Sequence, residues 1–324
     1  MPKDLSAAWK TRHRRWLQFV QANIQAVEAG KAIPLGPSAK PLRAPALKAG
    51  NGRALRVVIC SPHPDDESLV SGLALRLHRE CGARVTNCAI TLGSDLTQRP
   101  RRRRELKASC AALGFHLTIV NPPWGFDDVN LDNREKHPDE WAEKVRILSA
   151  VMEKERPDVV FAHHAEDQNV THVATHYLAM EAVGDYLERT GRGPLPFIET
   201  EFWHQHSCPN LMVGISPEDE ATMLMATAEH GGEVRRNPYH LRHPGRMFDN
   251  VRRGAEVVGK AGGPAPDFPF AELYRVVFLA GRNWVAPRSG GRIIGPSEKI
   301  DWKELIASYW PEELGERAAS RRKA

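Results

Sequence analysis

From Ala54 to Leu187 short apolar runs alternate with helical patterns, and this rhythm restricts the fold more than any other feature of the chain. Ala54–Cys60, Arg84–Thr91, Leu117–Val120 and Asp158–Ala162 suit buried parallel strands. Ser68–Glu80, Arg101–Leu113, Trp141–Glu155 and His172–Leu187 carry helical spacing; Gly114 and Pro157 follow two of them as stops. Strands separated by helices imply an α/β fold, a mostly parallel sheet with helices on both faces.

The flanks differ. Leu5, Trp9, Trp16, Phe19, Val20, Ile24 and Val27 predict a helix over residues 5–29, stopped at Gly30. Breakers at Pro34, Gly36, Pro37 and Pro41 then give a linker or strap to residue 52. Beyond residue 190 strands are expected at Phe197–Trp203, Leu211–Ile215 and Tyr274–Ala280, and helices at Glu218–His230 and Asp301–Tyr309. The expected division is 1–52 as N-terminal helix and strap, 53–285 as the main domain with its cap, and 286–324 as a C-terminal extension.

Composition removes several functions. The longest apolar runs, such as Val276–Ala280, fall far short of a membrane span. The net charge of +5, from 45 basic and 40 acidic residues, is modest. Its clearest cluster, Arg99 with Arg101–Arg104, lacks the interleaved aromatic residues that stack nucleic-acid bases, and Arg321–Lys323 forms a second basic group. No nucleic-acid or membrane partner is expected. No G-x-G-x-x-G follows the first strand, which argues against a dinucleotide. Five scattered cysteines without a C-x-x-C pair, and no apolar stretch after Lys3 and Asp4, suggest a reduced, cytoplasmic setting.

Two strand ends carry chemistry. Ser61-Pro62-His63-Pro64-Asp65-Asp66-Glu67 places one imidazole and three carboxylates within five residues. Ligands bind outside the carboxyl ends of strands in open α/β sheets. Clustered carboxylates repel unless a cation neutralises them. His63 and Asp66, three apart across a turn, can face one ion and leave Asp65 free as a base. The competing reading makes Asp65 or Asp66 a helix cap, which does not call for the histidine. The second strand end, His163 to His172, offers His172, with His176 one turn later. Two imidazoles and a carboxylate leave zinc an open position for water; iron, cobalt or nickel also suit such a set. His172 is nearer the loop, so His176 is expected behind the site or in the core. Asp167 and Asn169 fit a turn or cap as well as a catalytic role. Trp203, His204 and His206 follow a strand and could line a sugar pocket, or Trp203 could be core.

Pro62–Glu67, read with Asn169–His176, resembles the PIG-L/LmbE-like superfamily of zinc-dependent N-deacetylases. The family's (A/S)-H-P-D-D-E is matched from Ser61 to Glu67 with one inserted proline, and its H-x-D-H-x-x-x-H ends here on His172 and His176. Thr91–Asp95, followed by an Arg-rich helix start and Glu105-Leu106, is a softer similarity. The resemblance covers about residues 54–280. It implies a Rossmann-like fold, metal ligands His63, Asp66 and His172, Asp65 as general base, and Arg102 as a substrate contact. It also implies a hydrolase that uses a zinc-activated water to remove an N-acetyl or N-acyl group from an amino sugar or sugar conjugate. The family has His and Asp where this chain has Asn169 and Thr171. Asn169 can donate to an oxyanion but cannot shuttle a proton, so proton delivery is left to Asp65 or to another histidine such as His163 or His164. The alternative is a catalytically silent, metal-containing protein that binds a sugar or a partner. Self-association is left open.

Overall fold

The computed structural model describes residues 7–40, 42–45, 53–258, 262–311 and 314. Helix α1 (Ala7–Lys31) precedes β1 (Arg56–Ser61), α2 (Asp66–Leu69), α3 (Gly72–Cys81), β2 (Arg84–Ala89), α4 (Arg99–Leu113) and β3 (His116–Ile119). Next come α5 (Leu131–Lys136), α6 (Pro138–Glu155), β4 (Val159–His163), α7 (Val170–Thr190), β5 (Leu195–Thr200) and β6 (Leu211–Ile215). The chain continues through α8 (Pro217–Ala228), α9 (Gly231–Arg236), a 3-10 turn (Tyr239–Leu241), α10 (His243–Val257), β7 (Phe270–Ala280), β8 (Asn283–Val285), β9 (Arg292–Ile294) and α11 (Trp302–Tyr309).

Among the described residues the strands form one sheet, ordered β3-β2-β1-β4-β5-β7-β6-β9, with β8 beside β7. Neighbours from β3 to β5 run parallel; β7 is antiparallel to β5 and β6, and β9 is parallel to β6. Alternation along β1 builds two cores. Val57 and Ile59 join α3 and α4 on one face, while Val58 and Cys60 join α6 and α7 on the other. The expected α/β class is the one observed.

Particular elements depart from expectation. The helix expected over Ser68–Glu80 is two helices broken near Ser71. Buried side chains of β7 take its free amides: Gly72 N donates to Glu272 Oε2 at 2.7 Å and Leu73 N to Tyr274 Oη at 2.9 Å. A Cβ on Gly72 would meet Glu272 and Ile215 at 2.6 Å. The strand expected to reach Trp203 ends at Thr200, and β7 begins at Phe270, before the expected Tyr274. The helix expected over Glu218–His230 ends at Ala228. Helix α1 runs through Gly30 to Lys31 and buries no residue; Trp16 and Phe19 are exposed. Leu5 and the Arg321–Lys323 group lie outside the described residues. No helix among the described residues is long and apolar enough to cross a membrane.

Candidate metal centre

Strands β1 and β4 are adjacent and parallel, with Val57, Val58 and Ile59 opposite Val159, Val160 and Phe161. Their carboxyl ends therefore deliver residues 62–66 and 163–172 to the same edge. Three side-chain atoms converge there. His63 Nδ1 lies 3.2 Å from His172 Nε2, Asp66 Oδ2 lies 3.6 Å from the first and 3.5 Å from the second. Ligands at about 2.0–2.1 Å in a tetrahedral zinc site stand about 3.4 Å apart. The three gaps match that edge length, and the donor set of two imidazoles and one carboxylate fits a divalent transition metal. His172 is 1% exposed and Asp66 2% exposed, so solvent does little to neutralise the cluster.

The charges agree with this arrangement. Burial works against the Asp66 carboxylate, yet His172, with His163 and His63, outweighs it and holds the pKa well below the ordinary range. Burial pushes His63 down, toward the neutral imidazole that ligation requires. His172 is pushed up: Asp66 and Asp167 overcome its burial. Two of the three candidate ligands have a carboxylate or imidazole behind them. Asp167 Oδ1 sits 3.5 Å from His172 Nδ1, and His163 Nε2 sits 3.5 Å from Asp66 Oδ1. Such partners orient metal ligands. His163 Nε2 is buried without a hydrogen-bond partner, and its ring stacks on His172 at 4.0 Å.

Asp65 occupies a different environment. Its backbone φ is 126°, a region L-residues avoid, so the position is strained and persists only where neighbours hold it. Neighbours do. Its N–H donates to Glu67 Oε2 at 2.9 Å, and its carbonyl accepts from Ser68 N and Ser68 Oγ. Glu67, fully buried, also takes the Ser109 hydroxyl and faces His230 Nε2 at 2.7 Å. The glutamate overcomes burial and raises the His230 pKa. Tyr239 donates its hydroxyl to Asp65 Oδ2. Burial, then Asp66 next door, pushes the Asp65 carboxyl up to about 7. Arg102 joins the same loop, donating from Nη2 to the Pro64 carbonyl at 3.2 Å.

Other sequence candidates fall elsewhere. Asn169 caps α7: its Oδ1 accepts from Thr171 N at 2.9 Å and His172 N at 3.3 Å, which leaves only its amide N–H groups to offer. His176 is buried and directs Nδ1 to the His163 carbonyl at 2.9 Å, away from the cluster of His63, Asp66 and His172. His206 faces Glu199 at 3.1 Å and His164 faces the His204 carbonyl at 2.9 Å, so both are engaged in a buried polar layer. Sequence reasoning missed Tyr239 and His230; no local motif marks either, because their partners lie 174 and 163 residues away.

Comparison with known proteins bears on this geometry. Residues 58–183 match the family model described as PIG-L, GlcNAc-PI de-N-acetylase. No curated protein sequence matches the chain. Among solved structures, 4-carboxy-2-hydroxymuconate hydratase GalB from Pseudomonas putida KT2440 superposes with a TM-score of 0.52 at 17% identity, over 70% of this chain and 97% of that one. N,N'-diacetylchitobiose deacetylase from Pyrococcus horikoshii gives 0.49 at 18% identity, over 70% and 85%. The zinc-inhibited form of teicoplanin deacetylase Orf2 gives 0.49 at 16% identity, over 69% and 98%. At these identities the structural likeness speaks to the fold, which a hydratase shares, and the reaction must be argued from the site. Residues 58–183, which run from β1 into α7 and hold both converging loops, are thus the part of the chain that is similar to the PIG-L family.

Proposed function

We propose that the chain is a zinc-dependent N-deacetylase that removes an N-acetyl or N-acyl group from an amino sugar or sugar conjugate. The observation that carries this reading is the near-tetrahedral spacing of His63 Nδ1, Asp66 Oδ2 and His172 Nε2, with the strained Asp65 carboxyl beside them. Those three residues would hold the metal. A bound divalent cation supplies Lewis-acid polarisation of a carbonyl and a water more acidic than bulk. Asp65 performs the proton work. Tyr239 holds Oδ2, so Oδ1 is the oxygen left to take a proton from the attacking water. The same oxygen returns that proton to the leaving amine nitrogen. A carboxyl near pKa 7 is poised for both transfers, although a neighbouring dication would draw it lower. Asn169 contributes an amide N–H to the developing oxyanion, and Arg102 contacts substrate polar groups beside the Pro64 loop.

A cytoplasmic setting goes with this reading. Cys60, Cys88 and Cys110 are buried free thiols, and burial pushes Cys60 up to about 12, which keeps it unreactive. The test is acetate release from a panel of N-acetylated amino sugars with zinc-loaded protein. Release should vanish with a chelator and return with zinc. Release that survives stripping sinks the zinc mechanism. The second reading, a silent metal-containing binding protein, draws on Asn169, whose oxygen caps α7 and which cannot shuttle a proton. Stoichiometric zinc with no acetate from any substrate would select it.

A further inference from the structure

Segment 201–203 leaves the end of β5 between the two halves of the proposed site. Trp203 N donates to Asp167 Oδ2 at 3.3 Å, and the other oxygen of Asp167 faces His172. Phe202 packs edge-on against Tyr239 at 6.1 Å, and Tyr239 grips Asp65. On its other flank Phe202 lies under the Arg246 guanidinium at 5.1 Å, and Arg246 Nη1 donates to the Glu201 carbonyl at 2.8 Å. Four contacts thus fix this short segment between the proposed base and the proposed metal ligand. Trp203 is the member left open. It is 50% exposed, its indole set at 73° to Phe202 with centroids 4.9 Å apart. A large aromatic whose backbone is tied to the carboxylate behind His172, yet which is half in water, has an apolar face available to a ligand. Phe202, Trp203 and Tyr239 all lie beyond the residues matched to the family, 58–183.

We propose that Trp203 is a stacking platform for a ring of the substrate, so that the site selects N-acyl amines borne on a ring with an apolar C–H face over open-chain ones. The inference takes from the deacetylase reading only the identity of the reacting amide. The mechanism needs no ring to proceed; the platform decides which amides dwell at the centre. A pyranose stacks on an aromatic side chain through a face of C–H bonds, which an axial hydroxyl on that face interrupts. Selectivity should therefore follow which face of the ring is free of axial groups.

Binding tests this separately from turnover. Zinc-loaded Asp65→Asn protein is titrated with methyl 2-acetamido-2-deoxy-β-glucopyranoside and with N-acetylethanolamine, and saturation-transfer NMR records which protons touch the protein. The expected result is at least about tenfold tighter binding of the ring, with H1, H3 and H5 of one face receiving most of the transfer. Trp203→Ala in the same background should abolish the preference and even out the transfer; Trp203→Phe should keep most of both. Even transfer around the ring, a preference that survives Trp203→Ala, or no binding of either probe would overturn the platform. Acetate release by the wild-type protein answers the deacetylase question independently, whichever way the ring behaves.

Discussion

The two loops that meet at the proposed metal differ in how their backbones are built. Residues 164–169 lead into α7 through a conventional N-cap, in which Asn169 satisfies two amides three residues or fewer away. Residues 62–65 include a non-glycine residue at φ 126° and are held by contacts from far along the chain. Thr91 Oγ1 donates to the Pro62 carbonyl, Arg102 to that of Pro64, and Glu67 with Ser109 and His230 braces Asp65. The second loop is also tied down from a distance, by Ser207 on Glu166, Trp203 N on Asp167 and the His204 carbonyl at His164; what sets the first apart is that its surroundings hold a strained backbone. The first loop, with Asp66 directly after it, carries the proposed base and two of the three proposed ligands. Strain near a reactive carboxyl is tolerated where the surrounding structure over-determines it.

The largest expected effect falls on the point both loops share. His172→Ala should remove zinc and turnover together, because the remaining imidazole and carboxylate cannot hold the ion. Metal analysis of the purified variant, with acetate release, checks this. Full zinc in His172→Ala would show that the loops do not meet on one ion. Asp65→Ala acts on the first loop alone. It should keep its zinc and lose about 10²–10⁴-fold in kcat, the range for a positioned acid–base group. Zinc lost with the carboxylate would instead make Asp65 a ligand and undo the division of labour between neighbouring aspartates.

What was legible in the sequence follows the same contrast. The convergence of His63, Asp66 and His172 could be read because each sits on a short motif at a strand end, and adjacent parallel strands bring such ends together. The parallel half of the sheet could be read from its apolar runs. Elements set by distant contacts could not. The break near Ser71 depends on Glu272 and Tyr274, 200 residues on. Helix α10 was hidden by Pro244, Gly245 and Gly254, although Met247, Val251 and Ala255 keep helical spacing; Gly254 is needed there, since a Cβ would meet Met212 Sδ at 2.5 Å. Tyr239 reaches Asp65 from a short turn whose sequence announces nothing. The parts of the site that brace and line it are the parts that only folding assembles.

The smaller effects sharpen the comparison through stability, measured by urea denaturation of metal-free protein. Glu67→Ala leaves His230, whose pKa the glutamate raises, buried without its partner, and strips the acceptor from the Asp65 amide. Breaking a buried pair from one side costs about 3–5 kcal/mol. Asn169→Ala removes one helix cap and should cost about 0.5–2 kcal/mol. The ordering matters more than either value. A cap loss as large as the loss at Glu67 would mean that the second loop is braced as heavily as the first. A small cost at Glu67 would mean that Asp65 holds its backbone without the Ser109–Glu67–His230 network, and that the strain at φ 126° is met by the Ser68 and Tyr239 contacts instead.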